Sequence, residues 1–569
     1  MLKPNIVLVI MDDLAYGDLA CHGNPYTRTE NLDRLYQESA RLTRYLSGPV
    51  CTPARAALYT GRHPYRTRAF DTYLSRSMID PKEVTLAQLL HDAGYSTGLF
   101  GKWHLGDCFP CRPQDMGFEE CLMHRGGGLC QPANLGRDSY FHPDLMHNGR
   151  LRRYDGYCTD IFFDEAIGFI EEQRDNPFFT YIATNAPHTP LEVPEEWSRP
   201  YRDMGLEESS VRLYGMVGNI DYNLGRLMQK LSDLGVAENT ILIYTSDHGP
   251  CRSSRDALGR IRFNAGLRGI KGEMYEGGIK VPFFIRWPGE ISADRDIDRI
   301  ANPIDILPTL CAAVRVETPA DHTIDGRNLL PLLKGEIEFG NWPERNICMQ
   351  WHRGDEPERY RNYAVIGQRF KLYRPDGKTK DELYDLANDP AEEHDEGTEH
   401  PNIAASMRRE YERWFDDVST TRPDNYAPPR IVIGTEFEKS TGLTRQDWRL
   451  YGEEGAWDAD HPGYWLVEIA ETGIYSVLIE TDRLECMVEP ETRNGGSEHV
   501  SSKDVKSREA ILRFKCGAIR IERKITYRDR EEFAFEKIEL KRGEQTLEAY
   551  LDIGGRKKGV KRVIIGKRL

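Results

Sequence analysis

The sequence predicts an α/β protein in which a mostly parallel sheet lies between helices. A small antiparallel α+β subdomain and an appended C-terminal β-sandwich follow. Three observations carry this. Short apolar runs alternate with amphipathic stretches through the first part of the chain, the pattern of a parallel sheet covered on both faces. Three prolines fall within residues 420–429, as in a linker. Beyond them, strand-turn-strand patterns replace helical ones. The expected units are 1–340, 341–418 and 430–569.

In the first unit, strands are expected at 6–11, 96–100, 178–182, 240–245 and 281–286, each apolar enough to be buried on both faces. Helices are expected at 31–39, 85–93, 160–172, 210–234 and 304–314, with Asp160 as an N-cap. The second unit should hold strands 363–367, 370–373 and 382–386, then a charged helix over 402–417. In the third, strands 464–469 and 474–479 flank a Glu471-Thr472-Gly473 turn, and 510–515, 518–527, 533–540 and 547–553 follow. Trp448, Trp457, Tyr464 and Trp465 read as core rather than as platforms for a sugar. The basic tail, 554–569, reads as a solvated strand.

The chain has 569 residues, enough for a large core and more than one domain. Its net charge of −15 leaves no surplus of cations for a nucleic-acid backbone, yet allows a local basic pocket for a small anion. No apolar run reaches the ~18 residues of a membrane span. The run 6–11 is too short for a signal-peptide core and ends in Asp12-Asp13. The protein is expected to be cytoplasmic as the chain stands, or periplasmic or secreted if a leader has been removed. Of 12 cysteines, Cys108 and Cys111 form a single C-x-x-C, with Cys121 and Cys130 nearby. A four-cysteine zinc site normally shows two such pairs, so free thiols or a local disulfide are expected.

The chemistry concentrates where predicted strands end. Asp12 and Asp13 close the first strand, at the edge where α/β sheets bind ligands. Adjacent carboxylates are poor core elements unless a cation neutralises them. Asp247 and His248 close the strand 240–245 in the same way. Lys102 and His104 follow the strand 96–100, and His188 follows the strand 178–182. The run Cys51-Thr52-Pro53-Ala54-Arg55-Ala56-Ala57-Leu58-Tyr59-Thr60-Gly61 opens a helix. Pro53 suits its first turn, and Cys51 lies at its N-terminus beside Arg55, where an anion is favoured.

These segments resemble the signature of the type I, formylglycine-dependent sulfatases, arylsulfatase-like members of the alkaline phosphatase superfamily. The matches are C-x-P-x-R with T-G at 51–61, G-K-W-H-x-G at 101–106, P-H-x-P at 187–190, S-D-H-G at 246–249 and K-G-x-x-x-E-G-G-x-K-V-P at 271–282. His248 stands where many members have Asn, and Lys280 where Arg is usual. The resemblance covers residues 4–417, and Glu382-Leu383-Tyr384-Asp385-Leu386 is typical of the family's small C-terminal subdomain. The β-rich segment resembles domains appended to some bacterial carbohydrate or aryl sulfatases.

The resemblance implies an alkaline-phosphatase-like fold and a sulfatase. A formylglycine-generating enzyme would convert Cys51 to formylglycine, whose hydrate attacks the sulfate ester. One Ca2+ would be held by Asp12, Asp13, Asp247, His248 and the modified Cys51. Arg55, Lys102 and Lys271 would hold the sulfate, His104 would take a proton from the second hydroxyl of the hydrate, and His188 would serve the leaving group. Candidate substrate-binding residues are Arg68, Asp71, Tyr73, His124, Arg125, Trp351, His352 and Arg353, a mixture suited to a small sulfated saccharide attacked at its end. The alternatives are an aryl sulfatase or a phosphonate or phosphate monoester hydrolase of the same superfamily. No nucleic acid or membrane partner is expected, and a homo-oligomer stays open.

Overall fold

The structure, a computed structural model, describes residues 3–251, 262–421, 426–452, 460–482, 509–526 and 529–568. Trp457 and the last position of the strand expected at 518–527 lie outside the described residues. Ten strands form the main sheet: β1 (Asn5–Met11), β2 (Ala40–Tyr45), β3 (Ser96–Lys102), β4 (Glu120–His124), β5 (Asp144–His147), β6 (Arg150–Arg153), β7 (Phe178–Ala183), β8 (Thr240–Ser246), β9 (Phe283–Arg286) and β10 (Arg295–Ala301). Their order is β10-β2-β9-β8-β1-β7-β3-β4-β5-β6. The centre, β8-β1-β7-β3-β4, is parallel. β9 runs antiparallel to both of its neighbours, and β5 and β6 add an antiparallel hairpin at the edge.

β1 explains its continuous apolar sequence. Ile6, Leu8 and Ile10 enter the core on one face, while Val7, Val9 and Met11 enter the core on the other, so neither parity of side chain meets water. Helices Cys51–Thr60, Leu86–Asp92 and Ile306–Val314 cover the first face. Helices Glu30–Gln37, Cys158–Glu172 and Glu208–Asp233 cover the second. The register Ile10↔Ala183, Met11↔Ser246 and Gly101↔Ala183 brings the ends of β1, β3, β7 and β8 to one edge of the sheet, as parallel pairing requires.

Several expectations need correction. Asp160 is not an N-cap. The helix begins at Cys158 without a side-chain cap, and Asp160 accepts hydrogen bonds from Asn219 (2.7 Å) and Asn223 (2.6 Å) on the facing long helix. The strand expected from 281 begins at Phe283, after Pro282, which has no N–H for a ladder. β2, β4, β5, β6 and β10 were not anticipated; in β6 all four residues are exposed, and Leu151 stands alone among arginines with no apolar periodicity.

The next sheet is antiparallel, in the order β11 (Ile347–Gln350), β12 (Tyr363–Ile366), β13 (Phe370–Arg374) and β14 (Glu382–Asp385). Helix Pro401–Ser419 packs Met407, Tyr411 and Phe415 against Tyr363 and Leu372 on one face. The other face packs Ile347, Ala364 and Tyr373 against Met274 and Ile279, beside the loop that carries Lys271.

Among the described residues, the remaining chain builds two sheets. One follows the path Ile431–Ile433, Gly463–Ile469, Gly543–Ile553, Glu509–Cys516 and Ile519–Thr526, and the other follows Ser440–Thr444, Arg562–Lys567, Gly473–Glu480 and Glu532–Leu540. Their buried residues share one apolar core, with Trp465, Val467 and Ile469 from the first and Tyr475, Val477 and Val563 from the second. The basic tail is therefore not a solvated strand. Arg562–Lys567 pairs on both sides, with Val563 and Ile565 fully buried. Trp448 and Trp465 are fully buried, whereas Tyr464 is only partly so.

All cysteines among the described residues are free thiols. Burial pushes the Cys108, Cys111 and Cys121 thiols well above their ordinary value, as for inert core cysteines. Among the described residues, no helix is long and apolar enough to cross a membrane.

Candidate active site

Helix Cys51–Thr60 is buried along its whole length, and Gly61 ends it in the left-handed conformation at φ 67°. Its N-terminus aims at the sheet edge, and Cys51 stands there with 3% of its surface exposed. One turn on, the fully buried Arg55 donates to Asp247 Oδ2 through Nη2 (2.9 Å) and Nε (3.1 Å). It also donates to the Lys102 carbonyl (3.2 Å) and to Tyr181 Oη (3.3 Å). A guanidinium suits this place because its planar fork serves a carboxylate while further N–H groups bind elsewhere.

Asp12, Asp13, Asp247 and His248 all have 0–1% exposure. Four of their polar atoms, Asp12 Oδ1, Asp13 Oδ2, Asp247 Oδ1 and His248 Nε2, are buried without a hydrogen-bond partner among the described residues. Single ligand atoms of Asp12, Cys51, Asp247 and His248 lie within 4.8 Å of one another. His248 Nε2 is 3.3 Å from Asp247 Oδ1 and 3.7 Å from Asp12 Oδ1. Orphaned acceptors this closely gathered repel one another in a low dielectric. A divalent cation relieves that repulsion, and the oxygen-rich set suits a hard ion.

Three cations and two histidines surround the cluster. Lys102 Nζ lies 2.6 Å from Asp12 Oδ2, and Lys271 Nζ lies 2.7 Å from Asp13 Oδ1. Burial alone would raise Asp12. Lys102, His188, Lys271 and Arg55 together outweigh it and hold the carboxyl well below its ordinary range. Burial likewise opposes ionisation of Cys51, but Lys102, Lys271 and His104 bring its thiol well below the usual value, so an anion at this position is stabilised. Asp247 is shifted upward, chiefly by burial.

His188 donates from Nδ1 to the Thr189 carbonyl at 2.7 Å, leaving Nε2 3.8 Å from Asp13 Oδ2. His104 donates from Nε2 to the Thr72 carbonyl at 2.8 Å. Its Nδ1 is buried without a hydrogen-bond partner among the described residues. Because a carbonyl can only accept, both tautomers are settled by these partners.

The candidate substrate residues divide. Asp71, Tyr73, Trp351 and Arg353 come together. Arg353 donates to Asp71 and to Thr72 Oγ1 (2.6 Å), and its guanidinium lies 4.4 Å from the Tyr73 ring and 5.1 Å from the Trp351 ring. Trp351 covers Gly272, where a Cβ would come within 3.0 Å of the indole, so this group adjoins Lys271. The Arg353 side chain is 44% exposed.

The others are engaged within the protein. Arg68 binds Asp80 (2.9 Å) and the Ala427 carbonyl (2.7 Å). Arg125, 2% exposed, donates to the Gly442 carbonyl at 2.8 Å. Both His352 nitrogens are taken up by its own loop. His124 is buried with Nδ1 on the Arg125 carbonyl, while its Nε2 has no hydrogen-bond partner among the described residues. Sequence reasoning did not single out Gly127 and Gly128. A Cβ on Gly127 would lie 2.5 Å from His104 Cε1, and one on Gly128 would lie 3.1 Å from His188 Cε1. The glycine run 126–128 was the signal that could have found them.

Comparison with known proteins gives the family of the chain. The Sulfatase family model matches residues 4–316, and a model described as N-sulphoglucosamine sulphohydrolase, C-terminal, matches residues 270–415. Human arylsulfatase A is 35% identical over 371 residues, covering 58% of this chain and 68% of that protein. Human N-acetylgalactosamine-6-sulfatase is 34% identical over 357 residues, covering 59% and 66%. Mouse steryl-sulfatase is 31% identical over 444 residues, covering 62% and 69%. The crystal structure of Ps i-CgsB in complex with k-i-k-neocarrahexaose aligns with a TM-score of 0.67 at 26% identity, covering 74% of this chain and 94% of that one.

Proposed function

Because the chain belongs to the sulfatase family and is therefore a sulfuric ester hydrolase, we propose that it removes sulfate from the end of a sulfated saccharide, using one Ca2+ and a formylglycine made from Cys51. The observation that carries this reading is the convergence of orphaned, buried acceptors of Asp12, Asp247 and His248 beside Cys51, with Asp13 adjoining through Asp12 and His248. Those side chains would hold the ion, three of the four through oxygen, which favours Ca2+ over softer metals. The ion would polarise the sulfate oxygens, and the hydrated residue-51 aldehyde would supply the attacking oxygen.

The chain's own groups divide the remaining work. Lys102 and Lys271, already paired with Asp12 and Asp13, exchange those partners for the nonbridging sulfate oxygens and stabilise charge there. Arg55 holds Asp247 from behind and adds positive charge to the same centre. His188, with Nδ1 fixed on the Thr189 carbonyl, presents Nε2 to the leaving oxygen and gives it a proton. His104, a donor at Nε2, keeps Nδ1 free to take a proton from the residue-51 side.

The sugar reading draws on the rim. Arg353 between Tyr73 and Trp351, anchored by Asp71, offers an apolar ring face and outward N–H donors, a combination suited to a polyhydroxylated or acidic ring. Two of the similar proteins carry sugars in their names, N-acetylgalactosamine-6-sulfatase and the neocarrahexaose complex. The test is a desulfation screen over defined sulfated saccharides, with matched aryl sulfate, phosphate and phosphonate esters as controls. Saccharide turnover well above the aryl sulfate is expected. Preference for the aryl sulfate, or for phosphate or phosphonate, would replace this substrate assignment with the corresponding one.

A further inference from the structure

We propose that Gln446, from the C-terminal β region, is a positioning residue for His104. The inference rests on the reading of His104 as an acid–base group of sulfate ester hydrolysis. Gln446 is 1% exposed and stands two residues beyond the strand Ser440–Thr444. Its Nε2 donates to the Thr72 carbonyl at 2.9 Å and to Ser77 Oγ at 3.1 Å. The Thr72 carbonyl is also the acceptor for His104 Nε2, at 2.8 Å. A carbonyl oxygen has two lone pairs, and here one is used by the imidazole and the other by an amide reaching over from the β region.

This arrangement fixes more than a distance. The Nε2 bond makes His104 the tautomer whose Nδ1 bears a lone pair, and that nitrogen is buried without a hydrogen-bond partner among the described residues. The Thr72 carbonyl therefore decides whether His104 can accept a proton there. The segment presenting it is strained. Leu74 and Ser75 take left-handed φ values of 59° and 64°, a conformation that non-glycine residues hold only when their surroundings impose it. The β region supplies those surroundings. The Ser75 N–H donates to the Gln446 carbonyl at 3.1 Å, and Ser75 Oγ donates to the Asp447 carbonyl. Without Gln446, one lone pair of the Thr72 carbonyl is unmatched, and the loop loses a tie that orients the ring.

A double-mutant cycle tests this on the matured full chain, with a soluble sulfate ester as substrate. Gln446→Leu is expected to lower kcat by roughly 10–100-fold, the range for outer-shell partners of active-site groups, with little change in KM. His104→Ala is expected to lower kcat by more. In the His104→Ala background, Gln446→Leu should cost no further activity, because a residue acting through His104 has nothing left to orient. A crystal structure of Gln446→Leu should show the His104 ring displaced from the Thr72 carbonyl.

Additive losses in the cycle would overturn the inference, as would an unmoved His104 ring. If His104→Ala itself leaves turnover intact, the catalytic reading of His104 fails instead. Gln446→Met, which keeps the side-chain length, repeats the cycle if Leu disturbs the turn.

Discussion

The ammonium of Lys102 sits 2.6 Å from Asp12 Oδ2, and both side chains are completely buried. Removing one partner of such a pair leaves the other charged and dry, at a cost of about 3–5 kcal/mol. Lys102→Met should therefore destabilise the metal-free protein by about that much and lower kcat/KM by roughly 10²–10³-fold. Added Ca2+ should recover part of the stability, because a cation then faces Asp12. Equal destabilisation with and without Ca2+, measured by chemical denaturation, would refute the idea that the ion and Lys102 share that carboxylate.

Cys51 is expected to carry an aldehyde in active enzyme. Peptide mass spectrometry should find the conversion, and preparations made without a maturing enzyme should be nearly inactive. Full turnover by protein whose Cys51 is wholly unmodified would end the formylglycine assignment.

Asp13→Asn should weaken divalent-ion binding and activity together, because Asp13 Oδ2 is one of the orphaned acceptors and metal affinity depends on ionised ligands. Elemental analysis of the active wild type should give one divalent ion per chain. A variant that kept full metal content while losing activity would move Asp13 out of the ligand set.

Loss of His188 should depend on the leaving group. His188→Ala is expected to slow sulfated sugars far more than activated aryl sulfates, since only a poor leaving group needs the proton. Comparison of kcat for the two substrates checks this, and an equal loss on both would remove His188 from the general-acid role.

Asp447 gives a pH signature. Burial first, and then neighbouring Asp107, push its carboxyl up to about 7 from an ordinary 3.8. The native protein thus holds a proton that the unfolded chain releases across that interval. The associated stability is fully present below about pH 4 and is lost as pH rises through about 7. Asp447→Asn should reduce the fall in Tm between about pH 5 and about pH 8. An unchanged slope would show that the proton is held elsewhere.

The reacting groups were legible in the sequence for a local reason. Asp12, Asp13, Lys102, His188, Asp247 and His248 each follow an apolar run long enough to be a buried strand. Parallel pairing then brings such strand ends to one edge, so order along the chain already implied proximity. The helix at Cys51 announced itself through Pro53. Strands β1, β3, β7 and β8 were readable for the same reason, while β6, three arginines around an exposed Leu151, had no periodic signal to read.

What only the tertiary structure decided was which long side chains remain available. Arg68, Arg125 and Arg353 look alike in sequence. Arg68 meets Asp80, and Arg125 lies under Gly442 near Asp107 and Asp447, so both are taken up internally, whereas Arg353 stays half exposed over Tyr73 and Trp351. Part of the basic tail became an interior strand because Ser440–Thr444 and Gly473–Glu480 pair with it on either side, and its alternate residues Val563 and Ile565 are buried. Gln446 reached Thr72 across 374 positions of chain. A guanidinium, an amide or a strand edge takes whichever partner folding brings within about 3 Å, and residue type and local spacing carry no record of a partner that far away.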